Sequence, residues 1–235
     1  MQAFYTRTTA APGRLALRTS PRQASAPNRN PRVDYFTVSY WVQNWLEATG
    51  LVSGLLCVAL LIRQNIWNWP IGLLYSLVSI AVFYRERLYA EVPLQLFYVA
   101  MNAYGWYYWA FAKERARRAD DQLPITNIAL RTAIALTAIV AAVTALSGYL
   151  YATQTNAALP YWDSAATTMS FAGMWMTARK QIENWYVWLI VDVLETGIYL
   201  VKGIELYAIL YCVYIGMAIA GWWAWRQSMQ QTAAA

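Results

Sequence analysis

The sequence predicts an all-α membrane protein of seven transmembrane helices, built as two parallel three-helix repeats with a fourth helix between them, a 3+1+3 architecture. Three observations carry that prediction. Of 235 residues, 59% are hydrophobic and only 13% charged, with 13 Trp and 18 Tyr, a composition far outside that of a soluble domain of this length. Seven apolar runs each approach the roughly 20 residues needed to cross a bilayer. The chain also resembles itself at an offset of 116 residues.

Residues 1–44 form an N-terminal tail rich in Arg, Ser, Thr, Pro and Ala, without an apolar period. Such a segment is expected to be disordered or to lie on the membrane surface. Its composition superficially resembles a transit peptide, and a start codon assigned too far upstream would produce the same pattern. The first repeat, 45–112, holds spans at about 46–62, 67–84 and 89–112. Asn68 is the expected cap of its second helix, with Pro70 in the first turn, and Pro93 lies in the first turns of the third. Residues 113–159 supply a linker and the fourth helix, about 127–151. The second repeat, 160–226, holds spans at 160–178, opened by Pro160, and at 182–201 and 203–225; residues 227–235 are a C-terminal tail.

Basic residues set the orientation. Arg63 follows the first helix, Lys113, Arg115, Arg117 and Arg118 the third, Arg179 and Lys180 the fifth, and Arg226 the seventh, all on one side of a seven-helix path. Apart from the tail, the other side has Arg85, Arg87 and Lys202. The C-terminus is therefore expected in the cytoplasm and the N-terminus outside, although six arginines in the tail pull the other way. The net charge of +6 follows from these flanking and tail residues, so nucleic acid is not an expected partner and the lipid bilayer is. With no histidine, the commonest general base and metal ligand is missing. Cys57 and Cys212 sit in apolar runs without CxxC spacing and read as small packing residues, and no cofactor or metal is expected.

Comparing 46–109 with 162–225, without a gap, gives 11 identities in 64 positions, three of them Trp pairs. "NW" at 68–69 meets "NW" at 184–185, and "GWYYW" (105–109) meets "GWWAW" (221–225). Corresponding helices are four spans apart and so run in the same direction. Parallel repeats of this kind place a substrate at their interface near the bilayer midplane.

At about 100° per residue, Trp185, Trp188, Asp192 and Glu195 share one stripe of the sixth helix. The third helix collects Gln95, Tyr98, Asn102, Gly105, Trp106 and Trp109, the seventh Tyr211, Tyr214, Ala218, Gly221, Trp222 and Trp225, and the second Trp69, Gly72, Ser76 and Ser79. Aromatic stripes on membrane helices ordinarily serve packing or interfacial belts, and buried amides ordinarily serve helix–helix hydrogen bonding. Asp192 and Glu195 shift that balance, because an unpaired ionised group inside a span costs several kcal/mol and must face a cavity or a partner. The two halves differ where a ligand would touch them: Gly72 and Ser76 stand where the second repeat has Trp188 and Asp192, and Gln95 and Asn102 where it has Tyr211 and Ala218. An aromatic face with a carboxylate opposite amides suits a flat cationic ring joined to a hydroxyl-rich group.

"ENWYVWLIVDV", "LQLFYVAMNAYGWYYW", "YWDSAATTMS" and the "RK" before the sixth helix resemble the PnuC family of nicotinamide riboside transporters, relatives of the SWEET sugar transporters, over about residues 45–226. That resemblance implies a SWEET-like fold and uptake of nicotinamide riboside, an NAD precursor, across a bacterial inner membrane by facilitated diffusion with alternating access. It also implies a cytoplasmic kinase that traps the substrate, and a homotrimer. By motif, Trp185 and Trp188 become ring contacts and Gln95, Tyr98 and Asn102 polar contacts. Asp192 falls where some relatives have Asn. Trp69, Ser76, Tyr211 and Tyr214 complete the expected substrate-binding set, with Glu195, Trp106 and Trp222 as gate or support. Related members carry thiamine or riboflavin, which are the alternative substrates. A retinal protein would need a mid-helix lysine, whereas Lys202 lies at a junction of spans; an intramembrane enzyme would need a nucleophile or metal ligand beside the Asp192–Glu195 pair, and the sequence offers neither.

Overall fold

The computed structural model describes residues 45–85, 92–115 and 123–234. The predicted tail (1–44) and Arg87, Arg117 and Arg118 of the charge argument lie outside the described residues, as do the side chains of Arg85, Lys113 and Arg115. Among the described residues there are seven helices: α1 (Trp45–Ile62), α2 (Asn68–Arg85), α3 (Val92–Arg115), α4 (Leu130–Gln154), α5 (Pro160–Ala178), α6 (Asn184–Val201) and α7 (Glu205–Ala234). Each matches an expected span, with starts shifted by up to three residues. The exception is the last helix, which was expected to end near 225 and continues to Ala234. "QSMQQTAA" contains no Gly or Pro and consists mostly of good helix formers, so the backbone carries on past the apolar run.

The tight turns explain how consecutive helices reverse direction. Gln64 between α1 and α2 has φ 54°, and Lys180 between α5 and α6 has φ 55°, both left-handed conformations that non-glycine residues seldom adopt. Asn68 does not act as the expected N-cap. Its Nδ2 instead donates to the Asn65 carbonyl at 2.6 Å and ties the turn, and Asn184 Nδ2 makes a short bond to the Gln181 carbonyl in the same way.

α2 packs between α1 and α3, and α6 between α5 and α7; the two groups meet where α1 lies on α7 and α3 on α5. α4 packs on α5. This helix is strongly apolar yet almost wholly unburied, so its exposed Ile134, Ile139, Val143 and Leu146 are suited to lipid and not to a protein core.

Four tryptophans from α2, α3, α6 and α7 fill the centre of one end of the bundle. Trp69 meets Trp109 edge-on at 5.5 Å, Trp185 meets Trp225 edge-on at 5.4 Å, and Trp109 and Trp225 lie 6.3 Å apart. Glycine makes the close approach possible. A Cβ on Gly105 would lie 2.4 Å from the Trp69 ring, and one on Gly221 would lie 2.3 Å from the Trp185 ring. Trp109 Nε1 donates to the Ala178 carbonyl and Trp225 Nε1 to the Leu61 carbonyl, each at 3.1 Å, so each helix group is tied to the other by an indole. Without a hydrophobic driving force between helices in lipid, such packing and interhelical bonds hold the bundle together.

The segment before α4 straps this end. Thr126 N donates to the Lys180 carbonyl and Ile182 N to the Thr126 carbonyl, while Glu183 Oε2 accepts from Ile128 N at 3.0 Å. Lys180 Nζ donates to the Leu123 carbonyl and lies 5.0 Å from the centre of the Trp109 ring. Burial in this loop lowers the Lys180 pKa to about 8.

Candidate substrate site

Between the two helix groups lies a cavity of about 220 Å³. Ten of the residues expected from the sequence border it: Trp69 and Ser76 from α2, Tyr98 and Asn102 from α3, Trp185, Trp188, Asp192 and Glu195 from α6, and Tyr211 and Tyr214 from α7. The single α6 stripe therefore faces one space, as its spacing predicts. Asp192 and Glu195 are 7% and 4% exposed, so both carboxyl groups are withdrawn from the bilayer. Among the described residues no Lys or Arg borders the cavity.

Three expected residues do not reach it. Gln95 is buried beside the site but does not border it, and its Oε1 has no hydrogen-bond partner among the described residues. Trp106 turns outward and is 43% exposed. It sits about 60° round the helix from Trp109, at the margin of the stripe, and α3 packs with its centre and not its margin. Trp222 occupies the equivalent margin of α7, where it contacts Tyr186 and lies under the Arg226 guanidinium at 4.9 Å. Neither indole is placed to gate this cavity.

Trp69 and Trp185 are almost wholly buried and border the cavity from the tryptophan cluster, and their Nε1 atoms have no hydrogen-bond partner among the described residues. Trp188 is more accessible. Asn102 is shaped by its neighbour: a Cβ on Gly72 would lie 2.2 Å from Asn102 Oδ1, so the missing side chain makes the space the amide occupies, while Asn102 Nδ2 donates to the Tyr98 carbonyl at 2.8 Å.

The sequence reading passed over α5 and α1. Thr167, Ser170, Met174 and Thr177 line the cavity from α5, and Cys57 and Leu61 from α1, with Tyr75 from α2. The α5 residues recur at three- and four-residue spacing, the signal of a helix face. Their hydroxyls bond back to their own helix, Ser170 to the Ala166 carbonyl and Thr177 to the Gly173 carbonyl, which hides their polarity.

A partly open pocket lined by indoles, phenols, amides and carboxylates, at the meeting of two groups of apolar helices, is the ordinary setting of a small-molecule site. The family described as "Nicotinamide mononucleotide transporter" matches residues 44–227, and the chain belongs to that family. Among curated proteins it is similar to the nicotinamide riboside transporter PnuC of Escherichia coli (strain K12), 27% identical over 212 residues that cover 80% of this chain and 87% of that protein. It is also similar to the riboflavin/roseoflavin transporter RibM of Streptomyces davaonensis, 26% identical over 183 residues covering 76% and 84%. A crystal structure of the vitamin B3 transporter PnuC superposes with a TM-score of 0.63 at 21% identity, covering 82% of this chain and 86% of that one, a likeness of fold. The family is one of membrane transporters, and the carboxylate-pair enzyme considered from the sequence gives way to transport.

Proposed function

We propose that this protein carries nicotinamide riboside across the membrane, binding it in the cavity between the two helix groups. One observation carries the choice of substrate: two buried carboxylates and several aromatic rings border the cavity, and among the described residues no basic one does. A nucleotide would bring a phosphate of roughly −1.5 to −2 charge against Asp192 and Glu195, with no cation to receive it. The riboside lacks that phosphate, and its pyridinium is a flat cation that indole faces and a carboxylate both favour. Riboflavin, for which the relative RibM is named, has a neutral ring that gives the carboxylates no opposite charge. Thiamine is a cation, but it offers far fewer hydroxyls to Asn102, Ser76 and the tyrosines.

In this reading Trp185 and Trp188 flank the ring, Asp192 balances its charge, and Tyr98, Asn102, Ser76, Tyr211 and Tyr214 receive the polar groups. Gln95 supports them from behind and Glu195 extends the polar wall. The two helix groups are parallel repeats around α4. Support comes from positions 116 apart: the left-handed Gln64 and Lys180, the turn bonds of Asn68 and Asn184, and the Trp69–Gly105 and Trp185–Gly221 contacts. Transport is facilitated diffusion, in which one repeat rocks against the other and the indole bonds across the tryptophan cluster break and re-form. The protein sits in a bacterial inner membrane with its C-terminus in the cytoplasm, as a homotrimer, and a cytoplasmic kinase traps what it delivers.

The test is uptake into proteoliposomes. Labelled nicotinamide riboside should equilibrate and stop at equal concentrations, and should accumulate further only when a nicotinamide riboside kinase and ATP are enclosed. Preferential uptake of the mononucleotide, or accumulation driven by an imposed pH gradient alone, contradicts the proposal.

A further inference from the structure

The cavity's indole at Trp188 is held by a side chain outside the binding set. Trp188 Nε1 donates to Thr177 Oγ1 at 3.0 Å. The same hydroxyl donates to the Gly173 carbonyl at 2.8 Å and lies 3.3 Å from Asn184 Oδ1. Thr177 is 2% and Asn184 0% exposed, so this junction is shielded from competing water. Gly173 completes the seat, since a Cβ there would come within 3.2 Å of Trp188 Cε2. A hydroxyl has one proton to give and lone pairs to receive, so donating to Gly173 leaves Thr177 free to accept the indole N–H.

The other half of the chain supplies a comparison within the same molecule. Residues 116 earlier than Gly173, Thr177 and Trp188 are Cys57, Leu61 and Gly72. Where the indole is absent, so is the hydroxyl that would hold it, and the space beside Gly72 is taken by the Asn102 amide. Asn184 has the same residue, Asn68, at its counterpart, so the turn is kept while the three positions around the indole change together. A structural need of the helix turn alone would have kept a hydroxyl on both sides.

We propose that Thr177 is a positioning residue for substrate recognition: it grips the N–H edge of Trp188 and fixes where that ring borders the cavity. The inference rests on the reading of Trp188 as a ring contact. It implies that affinity for a flat ring depends on a hydroxyl at position 177 although the substrate need not touch it.

The test is a calorimetric comparison of nicotinamide riboside binding to the full-length protein and its variants. Thr177→Val removes the hydroxyl at nearly constant shape and should weaken binding about three- to tenfold, the range a single neutral hydrogen bond supports. Thr177→Ser should restore it to within about twofold. Trp188→Phe removes the N–H and keeps a ring, and adding Thr177→Val to it should cause no further loss. Losses that add in the double variant mean that Thr177 contacts the substrate itself and overturn the positioning role. Wild-type affinity in Thr177→Val, with Trp188→Ala impaired, overturns it while leaving the site intact. Wild-type affinity in Trp188→Ala removes the site reading. Should Thr177→Val fail to fold, Gly173→Ala presses on the same indole at the carbon beside its N–H; it should weaken binding in the wild-type background and have no effect in Trp188→Ala, and an equal effect in both backgrounds overturns the proposal.

Discussion

Gly221→Ala tests the packing that positions the site, with Gly216→Ala on the same helix as its control. A Cβ at 221 would lie 2.3, 2.4 and 2.5 Å from three ring carbons of Trp185. Ordinary contact begins about 1 Å further out, near 3.5 Å, so the indole or the helix must move by roughly that distance. Trp185 stands edge-on to Trp225 at 5.4 Å, so its retreat is toward the cavity it borders on another side, which carries the disturbance into the site. Overpacking of this kind costs about 1–3 kcal/mol. A Cβ at 216 meets nothing within 4 Å, so Gly216→Ala keeps only the helix-propensity gain, up to about 1 kcal/mol. Gly221→Ala has the same propensity gain, so the two variants should differ by the overpacking cost alone, about 1–3 kcal/mol, or at least about 2 °C in melting temperature at this chain length. Thermal unfolding of the purified protein in detergent measures the difference. Equal melting temperatures, or a more stable Gly221→Ala, refute the claim that glycine is required for the close approach of α6 and α7.

Gly72→Ala should behave differently, because the atom it meets at 2.2 Å is the end of the Asn102 side chain. The amide can turn aside, so stability should change little while nicotinamide riboside affinity falls about two- to tenfold, the worth of one polar contact; unchanged affinity removes Asn102 from the site. Lys180 makes stability pH-dependent. Burial lowers its pKa to about 8, against 10.5 when unfolded, so between those values the unfolded chain binds more protons and stability rises with pH. Below about 8 both states hold the proton and this group contributes no slope. The melting temperature of the wild type minus that of Lys180→Gln should thus increase from pH 8 to pH 10, and a flat difference contradicts it. Lys202 meets Asp163 at 2.9 Å, but both side chains are partly exposed. Lys202→Ala should cost less than about 1 kcal/mol, and a larger loss in thermal unfolding would show that this pair anchors α5 to the end of α6.

The spans were legible because each is a long apolar run, and the α6 stripe because two carboxylates cannot lie idle in one. The tryptophan–glycine contacts were foreshadowed by the paired "GWYYW" and "GWWAW" segments. Trp106 and Trp222, expected as gate or support, lie outside the cavity lining because helical spacing gives an arc and not the direction in which a neighbouring helix lies on it. Thr177 and Ser170 escaped notice because a hydroxyl bonded to its own backbone has the same sequence signature whether or not it borders a cavity. The strap at Leu123–Ile128 has no apolar period, and the left-handed turns at Gln64 and Lys180 use residues that carry no turn signal. Those features depend on tertiary contacts that local sequence does not encode.

The central claim is that a cavity with carboxylates and indoles, and no basic residue among the described ones that line it, selects a flat cation bearing hydroxyls and no phosphate. Calorimetric titration of the purified protein with nicotinamide riboside, nicotinamide mononucleotide, thiamine and riboflavin tests it directly. The riboside should bind most tightly, with the mononucleotide the weakest of the pyridinium pair. Tighter binding of the mononucleotide or of riboflavin would keep the fold and contradict the account of the site.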